Sequence, residues 1–278
     1  MAVSVTCECD RLEKDLLAAE FCEAGTLGVI EEDLPDGRYL LKAFFEDDEE
    51  VSVLAARFAP HSPVVRQEAT EDWVRVARDQ WQPVLVGKRF YLTPSWCQES
   101  APPGRFRLLM PPGTASGTGL HPATQLALEA LERSILSGGC VLDLGTGSGI
   151  LSAGARLLGA AQVIACDIDE GAVAAAQEYL GPSVAVFVGS ARSLRRGSTD
   201  CVVANINAVA IGSLAAEIAR VLKPKGRALL GGFTNAEARR LDEPLQAAGL
   251  ALRETVTRDE WVCLVTVRKA VGYTIEGG

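Results

Sequence analysis

The chain has 278 residues, 48% of them hydrophobic, and a net charge of −9 from 27 basic and 36 acidic side chains. Such a length and apolar content suit one large or two ordinary globular domains with substantial cores. There is no apolar run of 18 or more residues and no basic region followed by an apolar stretch at the start, so neither a helical membrane span nor a secretory leader is expected, and a cytoplasmic protein without a membrane partner is.

From the amino terminus, Val3–Cys9 alternates as a strand, and residues 10–24 place Leu12, Leu16, Leu17 and Phe21 at helical spacing. A strand over 27–31, a strand over 38–45, a helix over 49–58 and a strand over 64–69 follow. This βαββαβ order predicts a small ferredoxin-like α+β domain, an antiparallel sheet with two helices on one face, over residues 1–69. Residues 1–60 hold 15 acidic and 5 basic side chains, so nearly all of the net charge lies there. That field repels phosphate backbones, so no direct nucleic-acid binding is expected; a basic protein partner fits better, although the runs 31–33 and 46–50 could equally be solvated loops. Residues 70–112, with Trp73, Trp81, Trp96 and several prolines, are too irregular for one element and read as a linker with some structure of its own.

Residues 113–278 turn to regular β/α alternation. Pro122 suits the first turn of a helix reaching about 135. Strands are predicted over 141–144, 163–168, 184–188, 200–206, 227–233, 250–257 and 261–268, with helices over 170–179, 208–222 and 235–248 between them. Only Arg258, Asp259 and Glu260 separate the last two strands, which must therefore form a hairpin, so a seven-stranded Rossmann-like sheet with one antiparallel strand near its end is expected. Of the eight cysteines, Cys140, Cys166, Cys201 and Cys263 fall in these apolar runs and none forms a C-x-x-C pair. They read as buried reduced thiols, and no metal site is expected.

The most informative segment joins the first two of these strands. Val141–Leu144 ends in Gly145-Thr146-Gly147-Ser148-Gly149, where three glycines turn the chain into a helix whose first N–H groups can face a ligand. The next strand ends at Asp167, placed to accept hydrogen bonds from both hydroxyls of a ribose. Ile150 stands at the third position of the dinucleotide fingerprint, which favours S-adenosylmethionine over NAD or FAD. Asp143 could hold the methionine ammonium or steady the loop amides. Asn205, where the fourth strand leaves the sheet, lies beside the ligand crevice but is by type as often a turn residue.

With Gly117-Thr118-Gly119-Leu120-His121-Pro122-Ala123-Thr124, the run 86–96, Leu27-Gly28-Val29-Ile30-Glu31, Asn205-Ile206-Asn207-Ala208 and Asp259-Glu260-Trp261-Val262, the chain resembles the PrmA-type methyltransferases of ribosomal large-subunit protein L11 over nearly its whole length. The resemblance implies a class I S-adenosylmethionine-dependent methyltransferase acting on lysine ε-amines, and on the α-amine, of a basic ribosomal protein. Residues 1–69 would recognise the substrate and 113–278 would bind the cofactor. By motif it makes Thr124, Gly145, Asp167 and Asn205 cofactor contacts, joined by Asp143, Gly147 and Gly149 from the loop, with Asn205 also catalytic. Ser116, Pro112 and Ala123 stand where the family usually has Phe, Asp and Thr. His121, in a loop that opens a helix, reads as a structural hydrogen-bonder rather than a base. Two alternatives stay open on sequence grounds: an enzyme of the same fold with another protein or a small molecule as substrate, and a non-catalytic homologue.

Overall fold

The computed structural model describes residues 2–10, 13–26, 28–46, 51–68, 82–94, 96–111, 119–134 and 137–269. These fall into two compact units that divide after Gln82. The first contains β1 (Ala2–Cys9), α1 (Lys14–Glu23), β2 (Gly28–Asp33), β3 (Tyr39–Glu46), α2 (Val51–Arg57) and β4 (Val64–Glu68). Its sheet runs β2-β3-β1-β4 with every pairing antiparallel. Period-two alternation sends Val3, Val5, Cys7 and Cys9 to one face, where they meet Leu17 and Phe21 of α1 and Leu54 of α2. Both helices therefore cover the same face, as the ferredoxin-like order requires. Phe21 and Phe58 close that core with ring centroids 4.7 Å apart. Glu31, Glu32, Asp33 and Asp36 are exposed around the β2–β3 connection, whereas 47–50 of the other acidic run lie outside the described residues.

The second unit begins at Pro83 and includes much of the segment expected to be a linker. There β5 (Val84–Val86), β6 (Phe90–Thr93) and β7 (Phe106–Leu109) form a small sheet, β5 antiparallel and β7 parallel to β6. Residues 70–81 lie outside the described set. All four residues of β6 are buried. The reason is tertiary: an added Cβ at Gly154 would stand 2.7 Å from Leu128 and 3.5 Å from Phe90, so a glycine lets one helix settle closely on another and on this strand.

The main sheet is built from β8 (Cys140–Leu144), β9 (Gln162–Asp167), β10 (Ala185–Val188), β11 (Thr199–Asn205), β12 (Leu222–Thr234), β13 (Leu250–Arg258) and β14 (Trp261–Arg268). Its order is β10-β9-β8-β11-β12-β14-β13. All neighbours are parallel except that β14 runs antiparallel to both β12 and β13, as the expected hairpin demands, with Arg258 ending β13 and only Asp259 and Glu260 in the turn. Helices α3 (Pro122–Ser134), α4 (Ile150–Leu157), α5 (Glu170–Leu180) and α6 (Ala208–Val221) lie between or before the strands. The single helix expected over 235–248 is instead α7 (Asn235–Ala238), a 3-10 turn over Arg239–Leu241, and α8 (Asp242–Ala247). Thr234 and Glu237 close α7 with a reciprocal capping box. Pro244 has no N–H to offer Arg240, so the helix restarts with the proline in its first turn. Cys166, Cys201 and Cys263 are buried free thiols and Cys140 is half-buried. Burial pushes the Cys201 thiol up to about 12, far from a reactive thiolate.

Candidate functional site at the carboxyl edge of the main sheet

Three adjacent strands of the sheet, β9, β8 and β11, end at Asp167, Leu144 and Asn205. Ligands of open α/β sheets bind outside such strand ends. The loop after β8 holds Gly145, Gly147 and Gly149 at φ of 74°, 52° and 86°, all in the left-handed region. Their spatial reasons differ. A Cβ at Gly145 would run into Ile206 Cγ2 and one at Gly149 would fall 2.9 Å from Leu180 Cδ1, while one at Gly147 meets nothing within 4 Å among the described residues. Gly145 and Gly149 thus combine a left-handed backbone with protein side chains close to the missing Cβ. Gly147 alone borders open space, where a ligand can approach the backbone.

The loop is fastened to β9. The N–H groups of Gly145 and Thr146 donate to the Cys166 carbonyl at 2.8 and 3.0 Å, and Gly147 N–H donates to Asp167 Oδ2 at 3.0 Å. Asp167 Oδ1 accepts from the Asp169 N–H at 3.2 Å. Asp167 therefore braces the glycine loop, and each oxygen, having accepted one backbone bond, keeps acceptor capacity for a hydroxyl. Asp169 caps α5 by accepting from Gly171 N–H at 2.8 Å.

Asp143 is fully buried on β8. Its Oδ2 accepts from Thr146 Oγ1 at 2.8 Å and from Ser152 Oγ at 2.7 Å. Its Oδ1 is buried without a hydrogen-bond partner among the described residues. Burial is the dominant influence and, with the nearby Asp167 charge, raises the pKa to about 6, against the lowering effect of the two hydroxyls and the Ser152 backbone N–H. A buried carboxylate with one unsatisfied oxygen is costly, and a cation at that oxygen would relieve the cost. Sequence reasoning missed Ser152, although a serine on the inward side of an otherwise apolar helix was a readable sign of a buried polar partner.

Asn205 lies two residues beyond Val203, which pairs with Asp143 across β11 and β8. Its Nδ2 donates to Thr124 Oγ1 at 3.2 Å, which ties the α3 motif to the end of β11. Asn205 Oδ1, like Asp143 Oδ1, is buried and unpartnered among the described residues. Thr124 is thus a side-chain partner across the site, beyond the local cap its position in the first helical turn allowed. His121 accepts the Ala123 N–H at Nδ1 (3.2 Å) and stacks edge-on against Trp261 at 4.4 Å, a structural placement. Ala123 is buried in α3, while 112–118, with Pro112 and Ser116, lie outside the described residues. Sequence reasoning also missed Gly231 and Gly232 of β12, which lie against Asn205 and Ile206. Paired glycines inside a strand were the available signal.

A cavity of about 220 Å³ lies at the opposite edge, among Cys140, Asp200, Lys223 and Arg227. Asp200 there is taken up by Lys223 Nζ at 2.8 Å and the Cys140 N–H at 2.8 Å, and Arg227 donates to the Ser134 carbonyl at 3.3 Å. These paired groups read as structural.

The family model for ribosomal protein L11 methyltransferase (PrmA) matches residues 4–269. A ribosomal protein L11 methyltransferase of Geobacter metallireducens is 34% identical, over 94% of this chain and 96% of its own. One of Pelotomaculum thermopropionicum is 33% identical, over 92% of this chain and 95% of its own. Among solved structures, the ribosomal protein L11 methylase of Lactobacillus delbrueckii subsp. bulgaricus is similar at a TM-score of 0.61 and 26% identity, covering 68% of this chain and 99% of that one.

Proposed function

The chain belongs to the ribosomal protein L11 methyltransferase family, and from that premise we propose that it transfers methyl groups from S-adenosylmethionine to lysine ε-amines, and to the α-amine, of ribosomal protein L11. The observation that carries this reading is the pair of buried oxygens without a partner among the described residues, Asp143 Oδ1 and Asn205 Oδ1, at the carboxyl ends of adjacent strands. One is an anion suited to an ammonium. The other is a neutral acceptor suited to a polar N–H or O–H group. When bound, S-adenosylmethionine supplies an electrophilic methyl on a sulfonium.

The chain's own residues do the rest. Asp143 Oδ1 receives the α-ammonium of the methionine moiety, while Thr146 and Ser152 hold the opposite oxygen in place. Asp167 accepts the ribose hydroxyls while bracing the loop through Gly147 N–H. Gly147 leaves room for the cofactor beside the backbone, and Gly145 and Gly149 keep the loop's shape. Thr124 fixes the Asn205 amide, whose oxygen would be left to accept from the cofactor or the incoming amine. No side chain described here is an obvious dedicated base, so water takes the proton of the incoming amine. A free lysine is neutral in only about 1 molecule in 10³ at pH 7, so stabilising the neutral amine fully takes roughly 4–5 kcal/mol. Apolar surroundings and a nearby positive charge both push in that direction.

Residues 1–69 serve as the recognition domain, with exposed Glu31, Glu32, Asp33 and Asp36 attracting a basic protein. No helix among the described residues is long and apolar enough to cross a membrane, which fits a cytoplasmic site of action. The test is incubation of the purified protein with methyl-labelled S-adenosylmethionine and purified L11, followed by mapping of the labelled amines. Label on L11 lysines is expected. Cofactor binding without label on L11 would overturn the substrate assignment.

A further inference from the structure

Glycine inside a central strand loses backbone entropy on folding and buries no side chain, so two in succession call for a reason. Gly231 and Gly232 lie in β12, where the register with β14 shifts between Leu230 and Phe233. On the other side β12 pairs in parallel with β11 as far as Asn205 opposite Gly231. The two glycines answer different needs. Gly232 has φ of 91°, and a Cβ there would meet Ile206 N and O at 2.7 Å and Asn205 C at 2.8 Å. Those are backbone atoms that cannot swing aside, so Gly232 is required by the fold.

Gly231 is not in the left-handed region. A Cβ there would make ordinary contacts with Val262 O at 3.5 Å and Cys263 Cβ at 3.9 Å, and one tight contact, 3.2 Å to Asn205 Oδ1. The backbone therefore accommodates alanine, and the atom that alanine would crowd is the buried, unpartnered oxygen at the end of β11. The other arm of that amide is already committed to Thr124 Oγ1 at 3.2 Å. Oδ1 could yield a few tenths of an ångström only by turning the amide against that bond.

We propose that Gly231 is a positioning residue for methyl transfer: by carrying no side chain it leaves Asn205 Oδ1 uncrowded and correctly aimed at the reacting groups. The proposal rests on the methyltransferase reading above. It explains why the position forgoes the stability an alanine would bring in a strand interior.

The experiment compares the full-length wild type with Gly231→Ala, Asn205→Ala and the double variant. Measurements are the thermal midpoint, calorimetric affinity for S-adenosylhomocysteine, steady-state kinetics on L11, and the Asn205 side-chain amide resonance. Gly231→Ala should have a midpoint equal to or above wild type and cofactor affinity within about twofold, yet a kcat about tenfold lower with KM for L11 little changed, because small misplacements at a reacting centre are expensive. In the Asn205→Ala background the same substitution should have no further effect on kcat. The proposal is overturned by a wild-type kcat in Gly231→Ala, by a full additional loss in the Asn205→Ala background, or by a midpoint several degrees lower, which would mean that the glycine serves the fold. The Asn205 amide resonance should shift in Gly231→Ala whether or not L11 is the substrate. An unmoved resonance refutes the positioning role even if turnover on L11 is absent, which would itself count against the substrate assignment.

Discussion

Asp143→Asn separates what the buried carboxylate costs the fold from what it contributes to the ligand. Its pKa is raised from 3.8 to about 6 by burial. A shift of about two units corresponds to roughly 3 kcal/mol against the ionised form in the ligand-free protein. Because the folded pKa lies above the unfolded one, the folded chain retains a proton between pH 4 and 6 that the unfolded chain has released. Stability from this group is therefore lost as pH rises through that window and stays low above it. Asparagine keeps the shape but does not titrate. The stability of Asp143→Asn relative to wild type should thus grow by up to about 3 kcal/mol from pH 4 to pH 7, or roughly 6–12 °C in midpoint for a unit of this size. The ligand reverses the sign. An ammonium at Oδ1 favours the carboxylate, so wild-type affinity for S-adenosylhomocysteine should fall about tenfold per pH unit below about 6, whereas the variant should bind weakly at every pH. Scanning calorimetry and isothermal titration from pH 4 to 8 measure both quantities. Parallel midpoint curves for the two proteins, or wild-type affinity in the variant, would refute the assignment of Asp143 as the buried ammonium partner.

Gly147→Val places its Cβ clear of every described atom but forces a β-branched residue to positive φ, so it should cost roughly 1–3 kcal/mol of stability and abolish cofactor binding; calorimetric titration of the folded variant decides between a ligand-facing and a purely structural glycine. Asp167→Ala should weaken S-adenosylhomocysteine by about 1.5–3 kcal/mol, the range for hydrogen bonds to a charged group, and a loss below about 0.5 kcal/mol would place the ribose elsewhere. Initial rates on L11 should rise from pH 7 to 9, because the attacking amine must be neutral. In a separate series at fixed pH, kcat/KM should fall with salt as the attraction of the acidic recognition domain is screened; rates flat in both series would count against lysine chemistry and electrostatic steering alike.

Local physics wrote much of this protein legibly into its sequence. Period-two alternation in Val3–Cys9 and β/α alternation after Pro122 sufficed for the sheet of the first unit and the main sheet of the second, since a strand or helix must bury its apolar face whatever its neighbours are, but not for the small sheet of β5, β6 and β7. The few residues between the last two apolar runs, of which only Asp259 and Glu260 lie between β13 and β14, left no length for a crossover, so the reversed strand was readable too. The loop over 145–149 and Asp167 marked the candidate site at the carboxyl edge of the sheet through chain spacing alone. Other features depend on groups distant in sequence. The glycine spacing does not distinguish Gly147, beside open space, from Gly145, packed on Ile206 some sixty residues later, because only assembly puts β11 beside β8. Burial of Asp143, its two hydroxyl partners and the idle oxygens of Asp143 and Asn205 likewise arise only when α3, α4 and three strands meet. A sequence states which groups are present and how they repeat. Which of them end without a partner is decided by what the packed chain brings, or fails to bring, within hydrogen-bonding distance.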